Sequence, residues 1–182
     1  MNEPDPATVR AAVDGDLDAF EELVHLFQAP IWRFLRGLVG DPTLAEDLTQ
    51  ETFLRAYRNL GGFRFRSKFS TWLFHVARNL GIDELRSRTR RADLVERLRP
   101  QPLDHPPGPE LRSELAAALG ALSPKLREAL LLVEVNGLTC REAGAVLDVP
   151  EGTVKSRLFH ARRQLVAWFG DEKGGDADAD RV

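Results

Sequence analysis

Five prolines, Pro100, Pro102, Pro106, Pro107 and Pro109, fall within ten residues. Proline fixes φ and lacks a backbone donor, so this density is incompatible with a helix or a central strand. The stretch reads as an extended linker over 92–109 that divides the chain in two. Neither side shows strand character: Val and Ile are scattered, and no alternation of period two persists. Apolar residues recur at helical spacing instead. The expected fold is all-α, with two small helical domains at 16–91 and 110–169. An acidic N-terminal segment, 1–15, and an acidic tail, 170–182, flank them; the tail has too few apolar residues to fold.

In the first domain, Asp16 can cap a helix carrying Leu17, Phe20, Leu23, Val24, Phe27, Ile31, Leu35 and Leu38, which Pro30 is expected to kink or divide. Gly40-Asp41-Pro42 stops that helix and starts the next. The second helix should bury Leu44, Leu48, Phe53, Ala56, Tyr57 and Leu60 and end at Gly61-Gly62. After the basic loop FRFRSKF, Ser70 or Thr71 is expected to cap a long helix that frays into RSRTRR. In the second domain Ser123-Pro124 starts a helix that Asn136-Gly137 ends. Thr139 and Glu142 fit a capping box, Asp148-Val149 make a short turn, and Pro150 opens the last helix, to about Phe169. Thr139 to Leu165 therefore has helix-turn-helix proportions, with Ala143, Val146, Leu147, Val154, Leu158, Ala161 and Leu165 inward.

The net charge of −3 conceals a segregation of charge. Residues 1–24 hold seven acids and one base, residues 61–91 hold eight Lys or Arg and two acids, and residues 150–163 hold four and one. Two basic blocks in an otherwise acidic chain point to two anion-binding surfaces. A single cysteine, Cys140, rules out an intrachain disulfide and suits a reducing compartment. The acidic start is not a signal peptide, and no apolar run is long enough for a bilayer, so a cytoplasmic protein without membrane insertion is expected. His25, His75, His105 and His160 lie far apart, and no HExxH, CxxC, P-loop or GxSxG pattern occurs. No enzyme, metal or cofactor is expected.

The basic blocks suggest what they bind. In a helix-turn-helix the N-terminal turns of the second helix meet base edges. Those positions are Glu151, Gly152, Thr153, Lys155 and Ser156, with Arg157, His160, Arg162 and Arg163 placed for phosphates. In the first domain Trp72, His75, Asn79, Asp83 and Arg86 share a helix face, and Phe63, Phe65 and Phe69 alternate with Arg64, Arg66 and Lys68 in the preceding loop. Aromatics interleaved with bases suit a pocket for unpaired nucleotides. One or two of these Phe rings are expected in the core, and Trp72 is open between core and DNA. Asp41, Glu46, Asp47 and Glu51, with Gln50, give the preceding helix an acidic face, either a solvated surface or a site for a basic protein.

The helix-turn-helix alone is similar to that of LuxR-type response regulators. However, DLTQETFLRAYRNL, FSTWLFHVARNLGIDEL, a Pro-rich tether and TCREAGAVLDVPEGTVKSRLFHARRQL, in that order, resemble the extracytoplasmic-function sigma factors of the sigma-70-type family. A response regulator would need a phospho-acceptor domain of alternating strands and helices. The resemblance covers about Asp16 to Phe169 and implies a factor that binds core RNA polymerase, recognises −10 and −35 promoter elements and promotes strand opening. It implies that Asp47, Gln50, Glu51 and Arg55 dock on the β′ clamp helices, with the β flap a further polymerase contact. It places Phe65, Arg66, Ser67, Lys68, Trp72, Asn79, Asp83 and Arg86 at the −10 element. It places Arg141, Thr153, Lys155, Ser156, Phe159, His160 and Arg163 at the −35 element. His160 stands where Arg is frequent in that family. An anti-sigma factor is a further implied partner.

Overall fold

The computed structural model describes residues 3–98 and 111–171. All regular structure among them is helical. The N-terminal domain consists of α1 (Pro6–Val13), α2 (Leu17–Val39), α3 (Pro42–Asn59) and α4 (Phe69–Leu98), with a 3-10 turn at Leu60–Gly62. The C-terminal domain consists of α5 (Leu111–Ala121), α6 (Pro124–Leu130), a π turn (Leu131–Val135), α7 (Cys140–Leu147) and α8 (Glu151–Asp171).

Helix α2 forms the centre of the first domain. Leu23, Phe27, Ile31, Phe34, Leu35 and Leu38 recur every three or four residues and are buried. Phe34 meets Phe74 of α4 edge-on at 5.6 Å, which orients α4 against α2. Side-chain caps fix the helix starts: Asp16 accepts from the Ala19 N–H at 3.1 Å and Asp41 from the Leu44 N–H at 3.1 Å. Gly40, at φ 81°, supplies the left-handed residue that ends α2. The Thr139–Glu142 capping box is formed in both directions, at 3.2 and 2.8 Å.

Several expectations are corrected. Of the two outcomes open at Pro30, the division does not occur: α2 runs on from Leu17 to Val39, and the buried Phe27, Ile31 and Phe34 on either side hold the helix through the lost hydrogen bond. Neither Ser70 nor Thr71 is the cap of α4, which starts at Phe69 with the Trp72 N–H on the Lys68 carbonyl at 3.2 Å. Nor does α4 fray at the arginines. It continues to Leu98, aided by Glu84 pairing with Arg88 at 3.4 Å and Arg91 at 2.7 Å. Tyr57 is exposed and leans on Phe20, 5.2 Å between centroids, instead of entering the core. The acidic start contains α1, capped by Asp5 and burying Val9 and Ala12. Of the expected linker, residues 92–98 belong to α4, and residues 99–109, with residue 110 and 172–182 of the expected tail, lie outside the described residues.

The two domains also pack together. One buried apolar cluster runs from Val9 to Leu158 and takes residues from both. Arg127 donates to the Leu38 carbonyl at 3.1 Å, and Leu131 fills the space over Gly37, where a Cβ would collide with its side chain.

Asp41 gives a first prediction. Its carboxyl is held below the ordinary 3.8 by the Leu44 N–H and then by Arg88 of α4, 3.2 Å away. With the folded value below the unfolded one, its contribution is complete above that ordinary value. It is lost as the pH falls through the folded value. Asp41→Asn keeps a capping oxygen but no charge, so it is expected to flatten the loss of denaturant resistance below pH about 4. Identical acid profiles for the two proteins, followed by circular dichroism, would reject this.

Candidate nucleic-acid interfaces

The loop before α4 is built on rings. Phe63 and Phe69 are buried and meet Trp72, at 5.4 and 5.6 Å between centroids. Trp72 is thus half-buried support for the loop. Phe65 differs from both: its side chain is 44% exposed, and its backbone is left-handed at φ 54°. A bulky residue seldom adopts that region, and holding it there costs about 1–3 kcal/mol. Phe63 backs the Phe65 ring at 4.9 Å. Arg64 donates to the Gly61 carbonyl at 2.9 Å, and Arg64, Arg66, Ser67 and Lys68 are all exposed.

From this loop α4 carries the expected stripe. Asn79 Nδ2 lies 3.4 Å from His75 Nδ1, and Arg86 lies 4.0 Å from Asp83. The second domain covers part of this surface. Lys68 pairs with Glu142 at 2.6 Å, His75 lies 3.5 Å from Asp148, and Arg78 pairs with Glu128 at 3.2 Å. The hydrogen bond and charge of Glu142 raise the Lys68 pKa. Arg78 was not singled out from the sequence, although it sits three residues after His75 on the same face. Its partner Glu128 lies in α6 just ahead of the apolar run that starts at Ala129, and burial there raises its pKa against the pull of Arg78.

In the second domain the capping box sets the start of α7, and Asp148, left-handed at φ 55°, ends it. Ala161 is buried further along α8 with Leu122 and Leu130, and Val146, Val154 and Leu158 are fully or nearly buried where α7 and α8 meet. Gly144 allows that crossing, since a Cβ there would lie 2.8 Å from the Val149 carbonyl oxygen. The outer face of α8 presents Lys155, Ser156, Phe159, His160 and Arg163, with Thr153 half-buried beside them and Arg141 exposed on α7. Lys155 rests on Glu151 at 2.6 Å, and the Arg163 guanidinium lies 5.6 Å from the Phe159 ring centre. Two of the expected phosphate ligands point elsewhere: Arg162 pairs with Glu134, and Arg157 is half-buried near Glu128.

Helix α3 buries Ala45, Leu48, Thr49, Thr52, Phe53 and Ala56. Asp47 and Gln50 are exposed, and Glu51 pairs with Arg55 at 2.8 Å. A groove of about 520 Å³ runs beside them, with Trp32, Glu46 and Gln50 in its walls. Trp32 is an addition from the structure, because its place on α2 gave no hint of a surface role. Among the described residues no three His, Cys, Asp or Glu gather as a metal site, and no helix is long and apolar enough to cross a membrane.

A helix-turn-helix domain packed on a helical domain with an aromatic and basic loop defines a two-domain DNA-binding protein. The comparisons make the class specific. Residues 23–91 match the family model for sigma-70 region 2, and residues 112–165 that for sigma-70 region 4. The extracytoplasmic-function (ECF) sigma factor SigC of Mycobacterium tuberculosis is 37% identical over 165 residues, covering 88% of this chain and 89% of its own. SigW of Bacillus subtilis is 30% identical over 172 residues, 86% and 92% of the two chains. The solved structure of the sigma factor RpoE with the anti-sigma factor NepR from Bartonella quintana matches with a TM-score of 0.73 at 27% identity, covering 91% of this chain and all of that one. CnrH in complex with the cytosolic domain of CnrY also matches at 0.73 and 27%, covering 91% and 96%. The chain belongs to the ECF RNA polymerase sigma factors. It is a transcription initiation factor that works with core RNA polymerase at promoter DNA.

Proposed function

We propose that three surfaces divide this work. The exposed face of α3, with Asp47, Gln50, Glu51 and Arg55, docks on the β′ clamp helices, and the second domain meets the β flap. The loop Phe65–Lys68, with Trp72, Asn79, Asp83 and Arg86 of α4, takes the opened −10 element. Arg141, Thr153, Lys155, Ser156, Phe159, His160 and Arg163 read the −35 duplex. The protein supplies binding and strand separation, works in the cytoplasm, and has no catalytic centre of its own. The observation that carries this division is Phe65, the one ring of its loop that is both exposed and held in a strained backbone.

The two readers touch in this structure, with Asp148 of the helix-turn-helix against His75 of α4. Promoter elements two helical turns apart are separated by about 70 Å. The domains therefore part on the promoter. An anti-sigma factor, such as the one bound to RpoE in the matching complex, is the partner expected to hold them together.

The test is run-off transcription with purified core polymerase on promoter fragments randomised at −10 and −35. Phe65→Ala is expected to lose about 1–3 kcal/mol of binding to the opened −10 element, the value of one stacked base, and with it the selection at that element. Lys155→Ala is expected to lose a similar amount at −35 only. Absence of core-dependent transcripts, with tight binding to duplex alone, would refute the assignment.

A further inference from the structure

The N-terminal segment grips the −10 loop at two points. The Arg10 guanidinium of α1 stands over the Phe65 ring, 5.5 Å from its centre. The Glu3 carboxylate accepts from the Ser70 N–H at 3.1 Å and from the Ser70 hydroxyl at 2.6 Å, in the first turn of α4. These contacts bracket the loop from its exposed ring to the start of the helix that follows. Between them the segment is rigid: Pro4 is buried, Asp5 caps α1 at 2.8 Å, and Val9 and Ala12 lie in the core. So Arg10 is presented from a fixed helix, and its charge stabilises the ring without needing to be buried itself.

We infer that α1 is a working part of the −10 reader, and that Arg10 is a positioning residue that acts through Phe65. This rests on the loop being the −10 pocket. Phe65 has few restraints of its own, being at a strained backbone position with a half-exposed ring. Phe63 supports it from the core side and Arg10 from the side of α1. A cation held over an aromatic face orients the ring as well as attracting it. With Arg10 removed, the ring samples more rotamers, and an unpaired base entering the pocket must bear the cost of ordering it. Glu3 does the corresponding task at the other end, by fixing the first turn of α4 from which Trp72 and His75 project.

The experiment uses holoenzyme assembled from core polymerase and the full chain, on promoter fragments randomised across −10. The readout is enrichment at the most selective −10 position. Arg10→Ala is expected to reduce that enrichment by about 2- to 5-fold, the range for an exposed cation–π contact. Arg10→Lys should recover most of it. The melting temperature should fall by no more than a few degrees, as for loss of one exposed contact, and −35 selectivity should stay unchanged, so that the loss at −10 is not a loss of fold. In a Phe65→Ala background the Arg10 effect should vanish. If Arg10→Ala lowers enrichment equally with and without Phe65, the residue touches DNA independently and the positioning role is overturned. It is also overturned if Arg10→Ala changes nothing while Phe65→Ala does. A Phe65→Ala protein with normal −10 enrichment would remove the loop from the −10 site, and the role of α1 with it.

Discussion

Alanine at Arg78 is expected to weaken the packing between the two domains by about 3–5 kcal/mol, the usual effect of removing one member of a buried ion pair. Glu128 is only 3% exposed, and Arg78 reaches it with Nε at 3.2 Å and Nη2 at 3.3 Å. Burial already pushes the Glu128 pKa up, and Arg78 is the largest influence opposing that, followed by the charges of Arg157 and Arg86. Without Arg78 the carboxylate has two escapes: it takes a proton, or the domains part and water reaches it. At neutral pH the second should dominate, so the variant should show a larger radius of gyration in small-angle scattering than the parent chain. Acid should restore compactness. A carboxyl whose packed-state pKa is raised favours packing when protonated, and it opposes packing increasingly as the pH climbs through that raised value. Glu128→Gln keeps the shape without the charge, and is expected to remain compact. Equal dimensions for the parent and Arg78→Ala proteins at neutral pH would show that this pair does not hold the domains together.

Much of the fold was legible because its signals are local. Asp16, Asp41 and the Thr139–Glu142 box set helix starts through bonds within three residues. What the sequence concealed depends on distant partners. Pro30 left a kink or a division open because proline disrupts an isolated helix, and tertiary packing along α2 outweighs one missing bond so that the helix is not divided. The arginines after Leu85 looked like a fraying end, because the Glu84 pairs that steady them are not part of the apolar pattern. The acids of the first residues showed only as a block of charge, but Asp5 caps a helix and Glu3 holds Ser70, 67 positions away. The same division applies to the sites. Residue type and spacing placed the stripes of α4 and α8, whereas only the structure separates Phe65 from its buried neighbours and joins Arg78 to Glu128.

Gly144→Ala is expected to disable −35 reading without unfolding the first domain. An added Cβ would meet the Val149 carbonyl oxygen at 2.8 Å, the Glu151 nitrogen at 3.6 Å and the Pro150 carbonyl carbon at 3.7 Å. All three are backbone atoms, so no side chain can rotate away. The same short stretch is tied back by the Val149 N–H on the Gly144 carbonyl at 3.0 Å. The turn must therefore shift as a unit, at a cost of about 1–3 kcal/mol. Helix α8 begins two residues beyond Val149 and would move with it, carrying Lys155, Ser156 and Phe159 off the positions that α7 gives them. Base contacts worth about 1–3 kcal/mol each depend on angle as well as distance, so the loss in −35 binding should exceed the loss in stability. Transcription from −35-dependent fragments should fall at least about tenfold, while templates already opened at −10 should be served nearly as well as by the parent. Gly120→Ala is the comparison, since nothing lies within 4 Å of a Cβ at that site. Equal −35 use by the two variants would mean that the turn absorbs the methyl, and that the close crossing at Gly144 is not what aims α8 at DNA.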